Sequence, residues 1–152
     1  MSGGSDSEEK IHMQLPIRGG DFSKAGEASS KIKNILKQLG INPAVIKRVA
    51  IACFESEINI VAYANKGQFS VDITTGEIRV LAKDEGPGIE CVEMAMMEGF
   101  STAPPELREM GFGAGMGLPN IKKAVDWMKI ESQIGVGTEL EFKILFGGGE
   151  NG

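Results

Sequence analysis

Apolar residues recur along this chain at two periods, and the switches between them mark its elements. The run Ile11-His-Met-Gln-Leu-Pro-Ile17 predicts a first strand, and Pro16, with no N–H to donate, suits a sheet edge or a strand end. Gly19-Gly20 ends it. Ala25, Ala28, Ile32, Ile35, Leu36 and Leu39 then fall at helical spacing. Asp21 or Ser23 is the expected cap of that helix, and Gly40 closes it. Asn42-Pro43 opens a second helix, a cap residue followed by proline at the first turn. It is expected to reach about Ala64, with Ile46, Val49, Ala50, Cys53, Phe54, Ile58, Ile60 and Val61 as its apolar positions.

Beyond Gly67 the period shortens. Phe69 to Thr74 and Ile78 to Ala82 predict a strand pair across the turn Thr75-Gly76. Asp84 to Gly88 is a glycine loop, and Glu90 to Met97 predicts a short helix. Phe100 to Gly113 is the least regular stretch, holding Ser101, Thr102, Pro104 and Pro105, and is expected to be a mobile lid. Leu118 to Val125 predicts a helix. Trp127 to Gln133 and Thr138 to Leu145 predict strands joined across Gly135-Val-Gly137. Hairpins rather than regular strand–helix alternation place the chain in the α+β class.

Length and composition narrow the picture without naming a chemistry. At 152 residues one domain is expected, over about 11–146, with acidic Met1 to Lys10 and Gly147 to Gly152 as disordered tails. Hydrophobic content of 41% and charged content of 24% are ordinary for a soluble protein. A net charge of −5 gives no global basic field for nucleic acid or an anionic membrane. No apolar run approaches the roughly 20 residues needed to span a bilayer. Cys53 and Cys91 make neither a disulfide framework nor a zinc site, which fits a reduced, cytoplasmic protein.

Three short segments carry candidate chemistry. Glu55 and Asn59 are four apart on the second predicted helix and share a face. An amide oxygen is a hard neutral ligand for Mg²⁺, and a carboxylate beside it can act as general base. Glu57 is a competing carboxylate, but it lies two residues off and points elsewhere. Asp84 follows an apolar strand, where its carboxylate can accept from an adenine amino group. Gly86 and Gly88 would let the backbone approach the ring. Gly111, Gly113, Gly115 and Gly117 alternate and enter a helix, so free N–H groups and the helix dipole would face phosphates. Two rival glycine motifs fail on counting. Met116 and Leu118 occupy the third-glycine positions of G-x-G-x-x-G, and no glycine is followed by Lys and then Ser or Thr.

In this order the segments resemble the N, G1 and G2 boxes of the gyrase, chaperone and histidine-kinase ATPase superfamily, the Bergerat fold. The resemblance covers roughly Ile11 to Leu145. It implies a two-layer α/β sandwich, with a mixed, mainly antiparallel sheet under helices and ATP or ADP between the second helix and the lid. It implies Mg²⁺ held by Asn59 and Glu55 as catalytic base. It adds Lys66 toward the phosphates and Thr102, Met116 and Leu118 to the nucleotide-binding set. Gly137-Thr138 resembles the pair whose hydroxyl supports the adenine-binding acid.

Within the superfamily, Ala52 to Asn59, Phe100 to Pro104 and Gly115 to Lys122 resemble stand-alone anti-sigma-factor serine kinases. That implies phosphoryl transfer to Ser or Thr of a partner protein, a sigma factor or antagonist as partner, and a homodimer. Two alternatives stay open: a nucleotide-gated binding module without kinase activity, and the catalytic domain of a split histidine kinase. In histidine kinases a second Asn often follows the first by four, and here that position is Tyr63. The one histidine, His12, sits in the first strand and is expected to be a core or edge residue.

Overall fold

A computed structural model describes residues 10–97 and 117–147. The expected lid and most of both expected tails lie outside the described residues. Five strands form one sheet: β1 (Ile11–Arg18), β2 (Lys66–Ile73), β3 (Glu77–Glu85), β4 (Trp127–Gln133) and β5 (Gly137–Leu145). Their spatial order is β1-β2-β3-β5-β4, and every pairing among the described residues is antiparallel, so the parallel component of a mixed sheet is not seen there. β1 is an edge strand, which is where Pro16 can sit without breaking a ladder.

Alternation sorts the two faces of the sheet. Phe69, Val71, Ile73, Ile78, Val80, Ala82, Leu140, Phe142 and Ile144 point into the core. Their neighbours form an outer face carrying the cross-strand ion pairs Arg79–Glu141 (3.3 Å) and Lys83–Glu139 (3.8 Å). The helices cover the inner face: α1 (Glu27–Gln38), α2 (Pro43–Tyr63), a single turn α3 (Val92–Ala95) and α4 (Gly117–Ala124). α2 is central, packing on α1 along one side and on α4 along the other. Ile32 and Leu36 of α1, Val49, Cys53 and Ile60 of α2 and Ile121 of α4 close the core. Burial pushes the Cys53 thiol up and keeps it neutral, with the nearby Glu57 charge adding to the effect.

α2 starts as its sequence predicts: Asn42 accepts from the Ala44 N–H at 2.7 Å, with Pro43 at the first turn. α1 does not. Neither Asp21 nor Ser23 caps it; the Ser23 hydroxyl bonds Asp21 at 2.6 Å beside a 3-10 turn at Phe22–Lys24. The helix begins after Gly26, in the left-handed region at φ 99°, and its free N–H groups go to Glu57 on α2. A cap supplied from another helix removes the need for a local one.

Two residues of the expected apolar stripes face solvent instead. Leu39 lies past the end of α1, and Phe54 stands outward between α1 and α2 at 44% exposed. Arg48 ties the other side of α2 to α4. Its Nε donates to the Ala124 carbonyl at 2.9 Å, and its Nη2 lies 3.0 Å from Asp126 Oδ1. α4 is thereby capped at its C-terminus by a cation, the favourable sign for the helix dipole.

Candidate functional site

Glu55 and Asn59 lie on the α2 face turned toward α4, and the first turn of α4 meets them there. A methyl group at Gly117 would stand 3.2 Å from Asn59 Oδ1 and 3.6 Å from Glu55 Oε1. Glycine at this place lets the backbone at the start of α4 approach both side chains. Asn120, one turn into α4, donates through Nδ2 to Glu55 Oε2 at 3.3 Å. Asn120 was not among the expected site residues, although its place three after Gly117 puts it in the helix's first turn. Two hard oxygen donors beside a helix N-terminus fit a divalent cation and phosphate oxygens. Among the described residues, Asn59 Oδ1 could serve as a neutral donor to a divalent cation, with the Glu55 carboxylate beside it.

Asp84 forms a second centre at the end of β3. The ladder continues further than the apolar pattern suggests, pairing Gly67 with Asp84, so Asp84 sits within the strand's last turn of pleat rather than after it. Thr138 holds it through its backbone, the N–H donating to Asp84 Oδ1 at 3.1 Å. The Thr138 hydroxyl, expected to support the acid, has a protein partner of its own. That hydroxyl shares a 2.8 Å hydrogen bond with Ser132, which also accepts from the Ile89 N–H at 2.7 Å. Ser132 thus joins β4, β5 and the glycine loop, and nothing in the strand's alternation singles it out. Burial raises the Asp84 carboxyl above its ordinary value, against the lowering pull of the Thr138 N–H.

The glycines around Asp84 have protein neighbours as their reason. A Cβ at Gly137 (φ 152°) would meet the Asp84 carbonyl oxygen at 2.0 Å. One at Gly88 (φ 80°) would meet the Gln133 carbonyl oxygen at 2.5 Å, and one at Gly86 the Ala64 Cα at 3.0 Å. These close approaches fold the loop onto the strand end and hold Asp84 in place.

The remaining expected residues scatter. Lys66 begins β2 rather than ending a helix, and its Nζ lies 3.9 Å from Glu85 Oε2, both side chains being exposed. Leu118 is buried in the first turn of α4. Thr102, Gly111, Gly113, Gly115 and Met116 lie outside the described residues. Glu57 does point elsewhere, into the start of α1. His12 is an exposed edge residue paired with Asp72 at 2.7 Å. No helix among the described residues is long and apolar enough to cross a membrane.

An antiparallel sheet under helices, with an acid at one strand end and a carboxylate–amide pair facing a helix N-terminus, defines a nucleotide-binding α+β domain. The family described as histidine kinase-, DNA gyrase B-, and HSP90-like ATPase matches residues 44–147, and the chain belongs to it. The serine/threonine-protein kinase RsbT of Bacillus subtilis is 33% identical over 113 residues, covering 72% of this chain and 79% of that protein. The anti-sigma F factor of Clostridium acetobutylicum is 34% identical over 106 residues, covering 66% and 71%. Among solved structures, a chain of the SiaB–SiaC complex from Pseudomonas aeruginosa superposes with a TM-score of 0.53 at 16% identity, covering 89% of each chain, a likeness of fold.

Proposed function

We propose that this protein is a Mg-ATP-dependent protein kinase of the anti-sigma-factor type, cytoplasmic and homodimeric, that phosphorylates Ser or Thr of a partner regulator. The observation that carries the proposal is the convergence of Glu55 and Asn59 on Gly117 at the start of α4. The names of the two curated relatives, a serine/threonine kinase and an anti-sigma factor, support it.

In this proposal Asp84 accepts from the adenine amino group, and the rigid Thr138 N–H keeps the carboxylate aimed. The N–H groups of the first turn of α4 bind phosphate oxygens, where the helix dipole favours negative charge. Asn59 would hold Mg²⁺, which would supply positive charge to stabilise the transferring phosphate. Glu55 accepts the proton of the incoming hydroxyl as its oxygen bonds the γ-phosphorus, and the bond to the bridging oxygen breaks to release ADP. Asn120 steers the Glu55 carboxylate by holding its second oxygen.

The test combines binding and transfer. Calorimetric titration with ATP and ADP, with and without Mg²⁺, is expected to show magnesium-dependent binding that Asp84→Asn weakens. With γ-labelled ATP and candidate regulators, acid-stable phosphoserine or phosphothreonine is expected, abolished by Glu55→Gln while ATP binding persists. Acid-labile phosphohistidine would instead identify a split histidine kinase. Partner binding that depends on ATP, with no transfer by wild type to any regulator it binds, would identify a nucleotide-gated binding module.

A further inference from the structure

A groove of about 540 Å³ runs between α1 and α2. Its wall includes Ile51, 38% exposed, and Phe54, 44% exposed. Lys33 and Lys37 of α1 and Lys47 of α2 rim it, and none of the three has an ion partner among the described residues. A locally basic rim is unexpected on a chain whose net charge is −5. The one acid among the described lining residues is Glu55, at the groove's far end. Glu55 is also the residue that Asn120 holds at the start of α4, so the groove and the proposed phosphate site share a carboxylate.

We infer that this groove docks an acidic segment of the protein substrate, anchored by apolar side chains, and leads its hydroxyl to Glu55. The inference deepens the kinase proposal and rests on Glu55 being the base. Three observations fix the class of occupant. Exposed Ile51 and Phe54 call for apolar anchors. Unpaired lysines on both walls call for carboxylates, which steer and orient more than they tighten. Continuity with Glu55 calls for a hydroxyl at one end. Lys47 and Glu55 are eight residues apart on α2. At 1.5 Å per residue that is about 12 Å, the reach of about four extended residues. The substrate therefore carries its acidic residues about four positions from the acceptor Ser or Thr.

The probe is a fluorescent peptide of about twelve residues with one Ser, two Leu and a Glu pair about four positions from the Ser. A second peptide has Lys in place of each Glu. Binding is read by anisotropy in the full chain, and ATP affinity by calorimetry on the same samples. The wild type is expected to bind the acidic peptide in preference to the basic one. The combined variant Lys33→Glu, Lys37→Glu, Lys47→Glu is expected to lose at least about tenfold in affinity for the acidic peptide and to gain for the basic one. Ile51→Asp is expected to weaken both, and neither variant is expected to alter ATP binding. Glu55→Gln is expected to keep peptide binding. A flat wild-type ATP titration beside intact, charge-selective peptide binding would sink the kinase proposal and leave standing only the groove's preference for acidic segments. Equal binding of both peptides, or of the acidic peptide by the charge-reversed variant, overturns the inference. So does absence of peptide binding, preferential capture of an oligonucleotide or anionic vesicle, or self-association that the charge reversal removes.

Discussion

Glu57→Ala is expected to cost far more stability than Glu55→Gln, although the two glutamates share one helix and one side-chain chemistry. Glu57 is 2% exposed. Its carboxylate accepts from the N–H groups of Gly26 (2.9 Å), Ala28 (3.2 Å) and Ser29 (2.9 Å) and from the Ser29 hydroxyl (2.6 Å). Alanine leaves these donors without an acceptor, and Ala28 and Ser29 are buried. A buried donor left unpaired costs about 1–3 kcal/mol, so two backbone N–H groups alone set a range of about 2–6 kcal/mol. Relief of the carboxylate's own desolvation offsets part of that, giving about 4 kcal/mol of an expected total of about 5–15 kcal/mol. At about 2–4 °C per kcal/mol the melting temperature falls by roughly 8–16 °C. Glu57→Gln keeps one acceptor oxygen but turns an NH₂ toward an N–H, and should cost about 2 kcal/mol. Glu55→Gln should stay within about 0.5 kcal/mol. Urea unfolding followed by circular dichroism measures all three, and amide exchange at Ser29 reports the start of α1 directly. A loss below about 1 kcal/mol for Glu57→Ala at unchanged slope, or equal costs at Glu55 and Glu57, would refute capping as the reason this carboxylate is buried.

Asp84→Asn should weaken ATP binding by about 1.5–3 kcal/mol, the worth of one charged hydrogen bond, as calorimetry would show. The same change should raise stability at neutral pH. The folded carboxyl titrates above its unfolded value of 3.8, so the folded state binds more protons in that window. Stability is lost as pH rises through the window, and an amide removes the loss; a melting temperature that falls would count against the burial of Asp84. ATP affinity should correspondingly fail on acidification at a higher pH than an ordinary aspartate permits. Gly137→Ala should cut ATP affinity at least about tenfold and lower the melting temperature, because its Cβ would meet the Asp84 carbonyl at 2.0 Å; wild-type affinity would contradict that contact. Arg48→Ala should cost about 1–2 kcal/mol by uncapping α4, read by chemical denaturation against wild type.

Much of the fold was legible because it rests on local signals. Asn42-Pro43 marks the start of α2, Trp127 to Gln133 alternates as β4 does, and Gly135 with Gly137 marks the hairpin between β4 and β5. The start of α1 was not legible, because its acceptor is some thirty residues away on another helix and looks in sequence like a rival to Glu55. Phe54 misled for the converse reason. Helical spacing says which residues share a face but not whether that face meets the sheet or a groove. In the site, Glu55 and Asn59 could be paired by spacing, whereas Asn120 and Ser132 act through contacts across elements. Gly86 and Gly88 also stand against Ala64 and Gln133 of the protein itself, neighbours that spacing in the sequence does not reveal.

The Arg48 anchor also sets what kind of motion α4 can make. Its last carbonyl is clamped to α2, and Asp126 continues the clamp to the Leu145 N–H at 2.7 Å. Its first turn is met by the polar side chains of Asn59 and Glu55. Leu118 and Pro119 are buried in that same turn, so the start of α4 faces the core on one side and polar groups on the other, while its end is held at Ala124. Its eight residues give an arm of about 12 Å, so a 1 Å shift at Gly117 is a rotation of about 5°. Any displacement of the helix start beside Asn59 would therefore be a change in tilt about the Arg48 clamp rather than a translation.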